Sequence, residues 1–94
     1  MFKSRVDKNQ KEIAQAFKSL GYSVAYIHTL KSGIGDIIVG KHEMNFIIEI
    51  KDGKAPPSKK KLTDKEKEFK GSWKGQHTII ESIEEVIKFN DEIS

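Results

Sequence analysis

Residues 33–40 read Gly-Ile-Gly-Asp-Ile-Ile-Val-Gly, and residues 45–51 read Asn-Phe-Ile-Ile-Glu-Ile-Lys. Both are rich in branched apolar residues, which suit strands. Only Lys41, His42, Glu43 and Met44 separate them, so an antiparallel hairpin is the simplest connection. A turn centred between His42 and Glu43 pairs Gly40 with Asn45, Val39 with Phe46, Ile38 with Ile47 and Ile37 with Ile48. Continued one step, it sets Asp36 opposite Glu49. Side chains alternate along a strand, so Ile47, Glu49 and Lys51 share one face while Phe46, Ile48 and Ile50 share the other.

Around this hairpin the chain alternates. Residues 4–20 read as a helix, capped by Asp7 with Gln10 as box partner, carrying Val6, Ile13, Phe17 and Leu20 at helical spacing and stopped by Gly21. Residues 22–29 read as a strand and residues 30–35 as a turn. Residues 52–61, with two prolines and a lysine run, read as a loop. Thr63 and Glu66 form a capping box for a helix whose inward stripe is Leu62, Glu66, Phe69 and Trp73; Trp73 is expected in the core. A short strand follows at residues 76–80. A second box, Ser82 with Glu85, opens a last helix with Ile83, Val86 and Ile87 inward. The order αβββαβα predicts an α/β (α+β) domain, a mixed central sheet flanked by helices with one helix at the C-terminus.

Length and composition set outer bounds. Ninety-four residues make one domain, residues 1–94, and 36% apolar with 33% charged residues is ordinary for a soluble protein. No cysteine is present, which excludes disulfides and cysteine-based zinc sites. No apolar run approaches bilayer length and no secretory leader is evident, so a cytoplasmic protein without membrane contact is expected. His28, His42 and His77 are scattered without ligand spacing. The net charge is +3, but residues 51–74 hold nine lysines against Asp52, Asp64, Glu66 and Glu68. That local excess suits a polyanion. Lys54, Lys59, Lys60 and Lys61, just beyond the second strand, are the candidate phosphate contacts.

Asp36 opposite Glu49 is the feature that asks for chemistry. Directly opposed side chains stand about 4.5–5.5 Å apart at Cβ, and two carboxylates that close repel unless something lies between them. A divalent cation would remove the conflict: magnesium takes one or two carboxylates and accepts phosphate oxygens as further ligands. Such an ion activates water and polarises a phosphoryl group, while Lys51 on the same face would orient the water or stabilise developing charge.

Asp36 at the head of one strand and Glu49-Ile50-Lys51 in the next resemble the PD-(D/E)XK nuclease superfamily, and most closely its small stand-alone phage and prophage VRR-NUC domains. The likeness extends over residues 7–86, including Leu62-Thr63, Glu66 and Phe69 after the motif. It implies a restriction-endonuclease-like αβββαβ core and a Mg2+ or Mn2+ cofactor held by Asp36, Glu49 and the backbone carbonyl of Ile50, with Lys51 catalytic. Gly35 stands where the family has proline, and Glu66 where glutamine is usual. The family's helix-one acid falls nearest Gln10, with Asp7 one turn earlier; Asp7, Gln10 and Glu66 are thus the supporting candidates. The implied activity is a metal-dependent endonuclease acting on branched DNA such as a Holliday junction, as a homodimer, without a small-molecule cofactor, in a bacterial or phage-infected cell. A flap or nicking nuclease is the rival within the class. A nucleic-acid-binding module without catalysis and a structural domain with a surface ion pair are rivals outside it.

Overall fold

A computed structural model describes residues 8–30 and 33–93. The proposed cap and support residue Asp7 lies outside the described residues. Helix α1, Lys8–Ser19, buries Gln10, Ile13, Ala14 and Phe17, a stripe at helical spacing. It stops at Gly21, whose φ of +92° only glycine adopts freely. The Tyr22 N–H then returns to the Phe17 carbonyl and closes the helix end.

Strands β1 (Ser23–Tyr26), β2 (Ile37–Lys41), β3 (Met44–Ile50) and β4 (His77–Ile80) form one sheet in that order. The first three are antiparallel, and β4 runs parallel to β3. The fold is therefore α+β with a mixed sheet. The hairpin register is the expected one from Gly40–Asn45 to Ile37–Ile48. His42 and Glu43 turn the chain at φ of +56° and +64°, the mirror-type two-residue turn that matches strand twist.

Strand β1 is shorter than expected: Tyr22 precedes it, buried with its hydroxyl donating to Asn90 Oδ1 at 3.0 Å, and the chain turns after Tyr26, the Leu30 N–H donating to the Ile27 carbonyl at 2.9 Å. The proline-lysine loop contains one helical turn, α2, Pro57–Lys60. Proline fits the first turn of a helix because the N–H it lacks has no partner there. Helix α3, Asp64–Ser72, has the full Thr63–Glu66 capping box. Helix α4, Ile83–Ile93, starts with the Glu85 N–H on Ser82 Oγ.

The core lies on the Phe46–Ile48 face, where α1 and α4 cover Ile37, Val39, Phe46, Ile48 and Ile80. Phe17, Tyr22, Phe46 and Phe89 meet there, with edge-on contacts of Phe17 to Tyr22 and of Phe46 to Phe89 at 5.1 and 4.9 Å between centroids. Each such pair contributes about 0.5–1.5 kcal/mol beyond its buried area. Two expectations fail. The inward stripe of α4 is Val86 and Phe89, while Ile83 and Ile87 stay exposed. Trp73 is 46% exposed rather than in the core. Helix α4 is turned so that Val86 and Phe89 meet the sheet. Leu62, Glu66 and Phe69 are partly buried as expected, and Trp73 is exposed because the chain leaves α3 there in an extended conformation. Among the described residues, no helix is long and apolar enough to cross a membrane.

Candidate active site

The face opposite the core carries Ile47, Glu49 and Lys51, and its placement begins at Gly35. There φ is +152°, and a Cβ would lie 2.6 Å from Ile47 Cγ2. Glycine is thus required, and proline, whose ring fixes φ near −65°, is excluded. This turn delivers Asp36 beside β3. The ladder ends at Ile37–Ile48: the Asp36 N–H donates to the Ile48 carbonyl at 2.9 Å, and the Ile50 N–H donates to Asp36 Oδ2 at 2.7 Å. Asp36 therefore does not pair with Glu49 as a ladder partner, which corrects the extrapolated register. The two carboxyl groups are neighbours nonetheless, close enough for the charge of Asp36 to oppose ionisation of Glu49.

Glu49 is only 5% exposed. Burial, then the charges of Asp36 and Glu66, push its pKa up to about 8. Burial also raises Asp36, and the Ile50 N–H and the Glu49 hydrogen bond only partly offset it. Lys51 Nζ stands 3.4 Å from Glu49 Oε2 and 3.0 Å from Glu66 Oε1. Burial pulls the ammonium down, but its bond to Glu66 and the two neighbouring carboxylates outweigh that, so it stays charged. Glu66 Oε1 accepts from the Thr63 N–H at 2.8 Å as well as from Lys51. Burial opposes ionisation of Glu66, but these two bonds, with one from Glu49, hold its pKa below the usual value. Glu66 thus closes the capping box and anchors Lys51.

Asp36 and Glu49 have the chemistry of a hard-cation site. Their donors are oxygens, they lie together, and their mutual repulsion and burial are what a cation would relieve. The N–H of Ile50 points toward Asp36. In a strand the carbonyl of the same residue points the same way, so the Ile50 carbonyl is on the correct side to serve. Among the described residues no three histidine, cysteine or acidic side chains are placed to share an ion. Glu66 is engaged elsewhere. Two carboxylates with a carbonyl is a donor set that magnesium accepts, completed by water.

The remaining candidates separate. Gln10 is buried on α1 with Nε2 3.3 Å from His28 Nδ1. Its neighbour Asn9, which no sequence pattern marks, donates from Nδ2 to the Lys51 carbonyl at 2.8 Å and reaches the Glu81 carbonyl at 3.3 Å. Asn9 clamps the ends of β3 and β4 together; an asparagine beside the helix-one position is its only signal in the sequence. Lys54 and Lys61 are exposed, and Lys60 is paired with Glu81 at 3.4 Å; the side chain of Lys59 lies outside the described residues. Lys54 lines a cleft of about 690 Å³ with Lys8 but also with Glu12, Asp52, Glu81, Glu84 and Glu85. That cleft is acidic, so it is no seat for phosphate. The helix that carries Glu66 presents other exposed lysines along its length and at its end: Lys65, Lys67, Lys70 and Lys74.

Comparison with protein-family models, with curated proteins and with solved structures produced no match.

Proposed function

We propose that the chain is a metal-dependent endonuclease that hydrolyses DNA phosphodiester bonds, with Asp36, Glu49 and Lys51 as its reacting centre. The observation that carries this reading is the placement of the Asp36 carboxylate on the Ile50 N–H at 2.7 Å, next to the buried Glu49, with the Lys51 ammonium 3.4 Å from Glu49. A buried carboxylate beside a second, partly buried one costs stability, and such perturbed groups gather at functional sites. A magnesium or manganese ion on Asp36, Glu49 and the Ile50 carbonyl would supply water activation and phosphoryl polarisation. Lys51 would carry positive charge toward the phosphate as charge develops on it. Glu66 would keep Lys51 extended along the site until the phosphate competes for it, and Asn9 would hold the end of β3 that carries Lys51.

The αβββαβ order, the mixed sheet and the acidic residues at the hairpin base support placing the chain with the restriction-endonuclease-like PD-(D/E)XK nucleases, near the VRR-NUC domains. On that reading the substrate is branched DNA, including four-way junctions, with flaps or nicks as the rival substrates. Two related cuts in a junction call for two copies of the chain, and a two-fold dimer is the commonest way to supply them. Its setting would be the cytoplasm of a bacterial or phage-infected cell. Incubation with labelled junctions, flaps, nicked and intact duplexes, in magnesium, manganese or chelator, tests the reading. Metal-dependent cleavage supports it, and none on any substrate refutes it.

A second reading is a nucleic-acid-binding module without catalysis. The ion pair of Lys51 with Glu66 favours it, since an engaged lysine is withdrawn from phosphate. Binding without metal-dependent cleavage would select it.

A further inference from the structure

Trp73 is the only tryptophan of the chain. It caps the C-terminal end of α3 and stands 46% exposed. Phe69 lies one turn earlier with its ring stacked on the indole, centroids 5.1 Å apart and planes 20° from parallel. Phe69 rests in turn against His77 of β4, 5.7 Å away. The indole is thus held at the outer end of a built stack, with apolar surface that folding has not removed from water. Lys67, Lys70 and Lys74 flank it in sequence, all exposed. Lys70 is tethered by its Nζ to the His77 carbonyl at 3.2 Å. At the other end of the same helix Glu66 touches Lys51. Trp73 follows Glu66 by seven positions, about 10 Å along the helix axis at the usual rise.

We propose that the Phe69–Trp73 stack is a platform for an unpaired base of the DNA strand entering the site. The outer face of Trp73 would stack on the base, and Lys67, Lys70 and Lys74 would take the adjoining phosphates. Every base offers a π-face, so the contact is tolerant of sequence, and a basic surround tracks the backbone. A base inside a duplex has both faces covered by its neighbours. The platform therefore selects unpaired nucleotides, such as those at junction centres and flaps. This rests on the nucleic-acid part of the reading above but not on cleavage.

The single tryptophan is its own reporter. In chelator, a short oligothymidylate should quench Trp73 emission saturably, and a blunt duplex of equal length should quench it far less. Anisotropy of a labelled oligothymidylate should show binding weakened about tenfold in Trp73→Ala, and largely retained in Trp73→Phe, which keeps a ring. Absence of binding, binding without quenching, or equal affinity of wild type and Trp73→Ala would overturn the platform. So would a blue shift of emission with rising protein concentration in the absence of DNA, which would mean that a second copy covers the indole. Quenching with no cleavage of any substrate leaves the platform standing and removes the nuclease; cleavage without quenching does the reverse.

Discussion

Ile50 donates its backbone N–H to Oδ2 of Asp36 at 2.7 Å. A side chain thereby replaces the ladder partner that β3 loses where β2 begins. The bond fixes the Asp36 carboxylate against Glu49, and the chemistry of the site follows from that contact.

Lys51→Ala should lower cleavage by about 10²–10³-fold, the scale for removal of one preorganised charge-stabilising group. Metal-induced stabilisation should persist, because an ammonium is not a ligand. The Thr63 and Glu66 backbone–side-chain bonds remain, so the helix should keep its cap. Gel-resolved cleavage rates and thermal melts check both halves. Near wild-type turnover would remove Lys51 from the chemistry.

Glu49 makes the metal-free protein sensitive to pH. Its pKa in the fold is about 8 against 4.5 as the ordinary value. Between these limits the folded chain holds a proton that the unfolded chain has released, so stability falls as pH rises through the window. The decline should be on the order of a few kcal/mol. It should be largely absent in Glu49→Gln, and magnesium should reverse it above pH 8 by binding the folded state. Urea melts in chelator from pH 5 to 9 test this; a parallel decline in wild type and variant would refute it.

Gly35→Ala should destabilise the fold by about 1–3 kcal/mol, since φ is unfavourable and the added carbon overlaps Ile47. Gly71→Ala is the contrast. It lies in α3 with open space around it, and the change should stabilise by up to about 1 kcal/mol. Denaturant midpoints decide both.

The salt dependence of DNA binding should be set by α3 rather than by the proline-lysine segment. Replacing Lys67, Lys70 and Lys74 together by glutamine should reduce the log–log salt slope on duplex DNA by about 0.9 for every phosphate no longer neutralised. Lys60→Gln should leave it nearly unchanged, because Glu81 already holds that ammonium. Equal effects from the two sets would contradict the placement.

Ile83 and Ile87 lie 41% and 49% exposed beside Ala16 and Leu20, lining a groove of about 790 Å³ between α1 and α4. If the chain pairs with a second copy through this face, light scattering will report twice the 10.7 kDa chain mass. Ile87→Glu will return the single-chain mass. A wild-type monomer that cleaves junctions would dispense with the dimer.

The hairpin register, its turn, the Thr63–Glu66 capping box and the Ser82 cap are legible in residues 36–51, 63–66 and 82–85, because each depends on neighbours within a few positions. The return bond of Glu85 goes to the Glu81 N–H rather than to that of Ser82. Side chains repeat every two residues on a strand, so a turn between His42 and Glu43 leaves one register that buries Ile37, Val39, Phe46 and Ile48 together. That register also brings Asp36 near Glu49. The final step, in which Asp36 leaves the ladder and takes the Ile50 N–H, depends on the φ of Gly35. No local pattern specifies that angle. The partner of Lys51, the clamp made by Asn9 and the exposure of Trp73, Ile83 and Ile87 depend on how far each helix turns when it packs. The apolar residues of α4 allow more than one inward stripe, and Trp73 lies just past the end of α3, where no helical stripe fixes its direction. Only the sheet surface, assembled from distant parts of the chain, selects Val86 and Phe89 for burial and leaves Trp73 facing water.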